Sequence, residues 1–199
     1  MSCLALTPVR VTAPVLPVVS TGEAMEFALV PAEDASLMEA LVAAATAHFD
    51  GYAGTLGRCL VNQEWRAGFA AWPASSPRIL RLPFPDVSAA AVKYSDAAGA
   101  EQTLDAALVE LGRDALGSFV RLKDDFTSPT LDDDRLDPVR VTLTAGFGGA
   151  ATDVPAPLRV AIMMLAAHWY EHREAAGEER FAVPFGVDML AAPYRRVGV

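Results

Sequence analysis

The chain has 199 residues, 25 acidic against 16 basic, and a net charge of −9. That length supports one compact domain, or a helical domain carrying a sizeable insertion, and 52% apolar residues make a core available. The charge argues against a surface built to grip nucleic acid, which needs clustered cations to displace counterions. It leaves open a duplex sliding past a repelling acidic wall.

Residues 1–19 are rich in Pro, Val and Thr and read as an extended arm that packs on the body or on a neighbour. Thr7, Pro8 and Arg10 interrupt the apolar run, which excludes a signal peptide. Ser20 or Thr21 caps a short helix running to Val30, with Glu23 completing a capping box, and Pro31 stops it. The next helix starts from Asp34 or Ser36 and is expected to reach Leu56, with Gly57 as its C′ residue. Leu37, Leu41, Ala44, His48 and Tyr52 form one stripe, and Met38, Val42, Ala45 and Phe49 the next. Together they make an apolar face wide enough to require burial in a bundle.

From Arg58 to Gly146 the period changes. CLVNQEWRAGF, RILRLP, AAAVKYSD, QTL, SFVRL and VRVTLTAGF read as short strands, and DAAGA as a hairpin turn. LKDDFTSPTLDDDRLDP reads as a polar, mobile loop. Asp153 is the expected cap of a second long helix, with Pro155 and Pro157 in its first turn. Leu158, Ile162, Leu165 and Trp169 face one way, and Gly177 closes the helix. Val187 to Ala192 forms one more helical turn before an exposed tail. Helices, then strands, then helices imply an α+β fold: a helical bundle with an inserted β-rich region of short antiparallel strands. The expected layout is a single domain over 1–199. It has an arm at 1–19, a helical core at 20–57 and 153–177, a β-rich insertion at 58–146 and a C-terminal tail at 178–199.

Few motifs point to chemistry. His168-Trp169-Tyr170-Glu171-His172 matches HxxEH, whose i, i+4 spacing puts two imidazoles on one helical face with a glutamate as base. A third ligand would have to come from Glu174, Glu178 or Glu179. The plainer reading is a helix end whose histidines favour the C-terminal dipole while Trp169 packs inward. Gly146-Phe147-Gly148-Gly149 sits where phosphate loops sit, but no GK[ST] follows, so it reads as a turn. Asp132, Asp133, Asp134 and Asp137 lack the central glycine and terminal glutamate of a calcium loop. Cys3 and Cys59 form no CxxC and imply a reduced, cytosolic chain. There is no GxSxG, neither cysteine lies beside a histidine in sequence, and His48 lies on an apolar face. IMMLAAHWY is too short to span a membrane.

Several segments in order resemble the head–tail connector (adaptor, or head-completion) proteins of tailed phages and of gene transfer agents. They are the helix ending HFDGYAGTLGR, then VNQEW, LRLPFPDVSAAAVKYSDAAGAEQTL, VRVTLTAGFGG, VPAPLRVAIMMLAAHWYEHREA and VPFGVDMLAAPYRR. YxGxxGR, the strand ending AGFG, HWYEHRE and the PFG…PYR tail carry most of the likeness. GEAMEFALV and the loop at 124–137 depart from it. The resemblance implies a structural subunit with no reaction and no cofactor. It would form a ring, usually of twelve copies, beneath a portal protein. It would extend a channel through which double-stranded DNA passes without sequence-specific binding, and it would receive the next tail-side (stopper) protein. Assembly would take place in the bacterial cytoplasm, and the product would be the particle neck, away from any membrane. The tail residues Phe185, Gly186, Leu190, Pro193, Tyr194, Arg195 and Arg196 are the expected portal interface, since aromatic residues and Arg are enriched at such contacts. Two other classes stay open at this point: a metal-dependent hydrolase using His168 and His172, and a cytosolic assembly chaperone or regulator.

Overall fold

The computed structural model describes residues 5–172 and 184–196. It is an α+β fold with antiparallel sheets. The chain divides into two compact units. A β unit takes the described part of Met1–Ala13 together with Asn62–Gly146, and a helical unit takes Pro14–Val61 and the described part of Phe147–Gly198.

The β unit holds eight strands in chain order: β1 (Val9–Thr12), β2 (Gln63–Phe69), β3 (Ile79–Arg81), β4 (Val87–Ser95), β5 (Glu101–Thr103), β6 (Val109–Asp114), β7 (Gly117–Leu122) and β8 (Val139–Ala145). Five pair antiparallel in the order β1-β2-β8-β4-β5, and three in the order β3-β7-β6. The period of two is plain in β2, where Gln63, Trp65 and Ala67 are buried and Glu64 and Arg66 are exposed. β8 lies at the centre of the larger sheet, which explains why Val139, Val141, Leu143 and Ala145 are all buried. Trp65 meets Phe84 edge-on at 5.0 Å.

The buried Arg140 guanidinium is held through its two terminal nitrogens. Arg140, opposite Gly68 and Lys93 in the sheet, donates to Ser95 Oγ at 2.9 Å and reaches Glu101 at 3.1 Å. A Cβ added at Gly68 would lie 3.0 Å from the Asp137 Cβ, so the glycine lets that loop close on the sheet. In the β6–β7 hairpin the Phe119 ring covers Gly112, where an added Cβ would lie 2.5 Å from the ring. An aromatic shielding a cross-strand glycine compensates for the missing side chain.

Expected and observed strands differ in two places. β6 is not anticipated, because four of the six residues of VELGRD are exposed and they show no clean alternation. Within the described part of the N-terminal arm, Val9–Thr12 becomes β1 by pairing with β2. The loop at 122–138 is also held more firmly than its polarity suggests. Phe126 is buried, Trp72 packs on it at 4.9 Å, and Arg78 donates to its carbonyl at 2.7 Å.

The helical unit contains α1 (Thr21–Ala28), α2 (Ala35–Phe49), α3 (Ala156–Glu171) and α4 (Phe185–Ala191). Its core joins Ala24, Met38, Val42, Ala45, Phe49, Leu158, Ala161, Ile162, Leu165, Val187 and Ala191. A regular helical bundle is not evident: two helices are long and two have eight residues or fewer. α1 has the anticipated capping box, with Ser20 accepting from the Glu23 amide at 3.2 Å and Glu23 accepting from the Ser20 amide at 2.9 Å. It stops two residues before the expected Val30, because Leu29 takes a left-handed backbone (φ 52) ahead of Pro31.

α2 ends at Phe49, not Leu56. Asp50 adopts an extended backbone, and its carboxylate accepts the Leu60 amide at 2.7 Å. Gly51 follows at φ 81. Gly57, at φ 61, serves this later loop and not the helix end. Asp153 likewise does not cap α3. It accepts from the Ala150 amide at 2.9 Å inside a short 3-10 turn, and Pro155 precedes the first helical residue. Gly177, the expected end of α3, and the whole segment 178–183 lie outside the described residues.

Candidate functional site

The C-terminal segment is set by spacing on α4. Val187 and Ala191 lie four apart and are buried, which turns Phe185 and Met189, also four apart, to the other side. Phe185 is 79% exposed and Met189 61% exposed. Pro193, exposed one turn further on, extends the same apolar run.

The seven expected interface residues split into two groups. Phe185, Pro193 and Arg195 are exposed, while Gly186, Leu190, Tyr194 and Arg196 are half-buried. Leu190 and Tyr194 pack against the helical core, and the Tyr194 ring stands edge-on to Phe147 at 6.2 Å. An added Cβ on Gly186 would sit 3.2 Å from the Met164 methyl, so α4 rests closely on α3 there. The Arg196 amide donates to the Leu56 carbonyl at 2.9 Å, and Arg195 pairs with Asp188 at 2.7 Å. The segment is therefore a short helix and turn fixed on its own unit, with an apolar stripe facing outward. Met189 was missed by sequence reasoning. The i, i+4 spacing from Phe185 was the signal that could have found it.

The other candidates resolve into local structure. The His168 and His172 rings lie 4.4 Å apart between centroids, and His172 Nδ1 is 2.9 Å from the His168 carbonyl oxygen. His172 is the C-cap of α3, where imidazoles interact well with unpaired carbonyls. Trp169 packs on the core, and Tyr170 donates its hydroxyl proton to Asp34. Among the described residues, no group of three or more His, Cys, Asp or Glu could hold a metal ion. Glu174, Glu178 and Glu179 lie outside the described residues.

Asp132 accepts from the Asp134 amide at 3.1 Å, and Asp137 pairs with Arg135 at 2.9 Å. Two of the four carboxylates are thus held by partners within the loop. Gly146 to Gly149 turn the chain from β8 toward α3, and a Cβ on Gly148 would collide with Asp153 at 2.2 Å. His48 stands edge-on to Phe49 at 4.9 Å. Cys59 is buried, and Cys3 lies outside the described residues. No described helix is long and apolar enough to cross a membrane.

The Glu23 carboxyl is held below its ordinary value. The Ser20 amide is the largest cause and the Ser20 hydroxyl the next; burial opposes them, and Arg159 adds to them. The cap that starts α1 is thereby tied through Arg159 to α3.

No protein-family profile matches this chain, and no curated protein matches it significantly. Solved structures do. A chain from the virion of a native gene transfer agent particle is 26% identical over 98% of this chain and 97% of its own, with a TM-score of 0.76. A chain from the neck of a native gene transfer agent particle, computed with C12 symmetry, is 26% identical over the same shares, with a TM-score of 0.69. A chain from the neck of an empty particle, computed with C6 symmetry, shares the fold at 24% identity and a TM-score of 0.74. The structural neighbours are therefore components of gene transfer agent particles, matched end to end.

Proposed function

We propose that this chain is a head–tail connector (adaptor) subunit of a tailed phage or gene transfer agent. Twelve copies form a ring beneath the portal protein. The observation that carries this reading is the end-to-end likeness to a chain of a particle neck with twelvefold symmetry. A match covering both units supports a shared role better than a match of one unit would.

All 199 residues serve as one subunit. The ring extends the DNA channel, and the duplex passes without sequence-specific contact, in keeping with a chain of net charge −9. No reaction and no cofactor are involved. The C-terminal segment docks on the portal. Phe185, Pro193 and Arg195 supply the contact, while Gly186, Leu190, Tyr194 and Arg196 hold the segment in shape. The tail-side stopper protein binds the completed ring. Assembly takes place in the bacterial cytoplasm, and the product is the particle neck.

The test is co-expression with the portal protein of the same gene cluster, followed by native mass determination. A complex of fixed ring stoichiometry is the expected result. A chain that stays monomeric and does not copurify would overturn the reading.

A further inference from the structure

Two exposed surfaces of this chain combine apolar side chains with unmatched charge, and the charges are opposite in sign. The first is the turn that follows α1. Phe27 is exposed there, and Leu29 is 90% exposed. Leu29 also holds a left-handed backbone at φ 52, a conformation that crowds any side chain with a Cβ. This leucine is strained and its side chain lies in water, so its own fold gains little from it. Glu26 and Glu33 are exposed on either side, and neither has an ion pair among the described residues.

The second surface is the β1 end of the larger sheet. β1 is an edge strand, and all four of its residues are exposed, Val9 and Val11 among them. Two arginines share this edge from opposite faces of the sheet: Arg66, exposed opposite Val9, and Arg10, exposed opposite Trp65. Neither arginine has an ion pair among the described residues. One carboxylate shares the patch: Glu64, which accepts from the Thr12 hydroxyl at 3.0 Å. The patch is thus net positive in a chain whose net charge is −9. β1 is short, at four residues, but as the outermost strand of its sheet it is a place where another chain can pair.

We infer that the α1 turn of one subunit docks on the β1–β2 edge of the next copy. This rests on the ring reading above. A ring joins two different patches of the same chain, head to tail. The patches must then be complementary to each other and not to themselves. An acidic apolar turn and a basic apolar edge meet that requirement, and opposite charges select the correct pairing over the two wrong ones.

The test uses charge reversal in the full chain, co-expressed with the portal and read by native mass. Glu26→Arg with Glu33→Arg makes both patches basic. Arg10→Glu with Arg66→Glu makes both acidic. Each pair is expected to lower the assembled fraction more than about tenfold at low salt, with partial recovery as salt screens the repulsion. All four substitutions together restore opposite signs and are expected to restore the ring, which also shows that the altered chains fold. A wild-type ring that both reversed pairs form unchanged overturns this inference alone. Loss in both pairs with no recovery in the fourfold variant also overturns it. A wild-type chain that forms no ring overturns the ring reading, and this inference with it.

Discussion

Replacing Leu29 separates the stability of the chain from its assembly. Leu29→Gly removes the crowding of a left-handed leucine, about 1–2 kcal/mol, against a glycine entropy cost of about 0.5–1 kcal/mol. Because Leu29 is 90% exposed, the burial lost is small, about 0.2 kcal/mol. The net expectation is a gain of about 0.5 kcal/mol, or about 1–2 °C in melting temperature for a chain of this size. Leu29→Ala keeps the backbone strain and removes only the side chain, so its melting temperature should stay within about 1 °C of wild type. Thermal unfolding monitored by circular dichroism measures both. In the portal co-expression assay both variants should assemble less well than wild type. A fall in the melting temperature of the glycine variant would refute the strain argument. Undiminished assembly of both variants would refute the role assigned to the side chain.

Ile162 is fully buried in the helical core, and Ile162→Ala should cost about 2–5 kcal/mol in urea unfolding. Gly54→Ala places a Cβ 2.4 Å from the Phe49 and Asp50 carbonyl oxygens, so soluble yield and melting temperature should both drop sharply. Ser20→Ala should cost about 1 kcal/mol at neutral pH and raise the Glu23 pKa toward its ordinary value of 4.5, which an NMR titration would show. The sign follows from the lowered folded value: Glu23 contributes fully above its unfolded pKa, and that contribution fades as pH falls through the folded pKa. The stability gap between wild type and Ser20→Ala should therefore narrow in acid. His168→Ala with His172→Ala should leave portal assembly unchanged in the presence or absence of a chelator.

Periodicity made much of the fold legible. The capping box of α1, the buried Met38–Val42–Ala45–Phe49 stripe of α2, the buried Leu158, Ile162 and Leu165 of α3, and most of the β2, β4, β7 and β8 boundaries follow from local pattern and side-chain chemistry, whereas the second expected α2 stripe is half-buried or, at Ala44 and Tyr52, exposed. The end of α2 did not, because HFDGYAG keeps apolar and small residues at helical spacing. What stops the helix is a tertiary bond from Asp50 to the Leu60 amide, which no local window contains. β6 was missed for a related reason: its exposed residues carry no alternation, and its pairing with β7 defines it. In the C-terminal segment residue type alone could not show which side chains turn outward. Leu190 and Tyr194 look like anchors for a partner, yet they pack on their own core. Met189, less conspicuous, is exposed.

The order in which the chain visits its two units bears on how it is made. The helical unit opens with α1 and α2, is interrupted by nearly the whole β unit, and resumes only at Phe147. The Phe147 amide then donates to the Leu60 carbonyl at 3.0 Å, so the interruption leaves and returns at one place. During synthesis the apolar face of α2 must therefore wait, uncovered, until α3 has been translated. Closing so long a loop costs little free energy, since the entropy grows only with the logarithm of length, but it delays completion and prolongs exposure of sticky surface. On a ribosome adding roughly 5–20 residues per second, that interval lasts seconds. The supply of assembly-ready subunits is then set by how α1 and α2 are sheltered meanwhile, and slowing translation within the β unit should lower soluble yield before it alters anything in the finished protein.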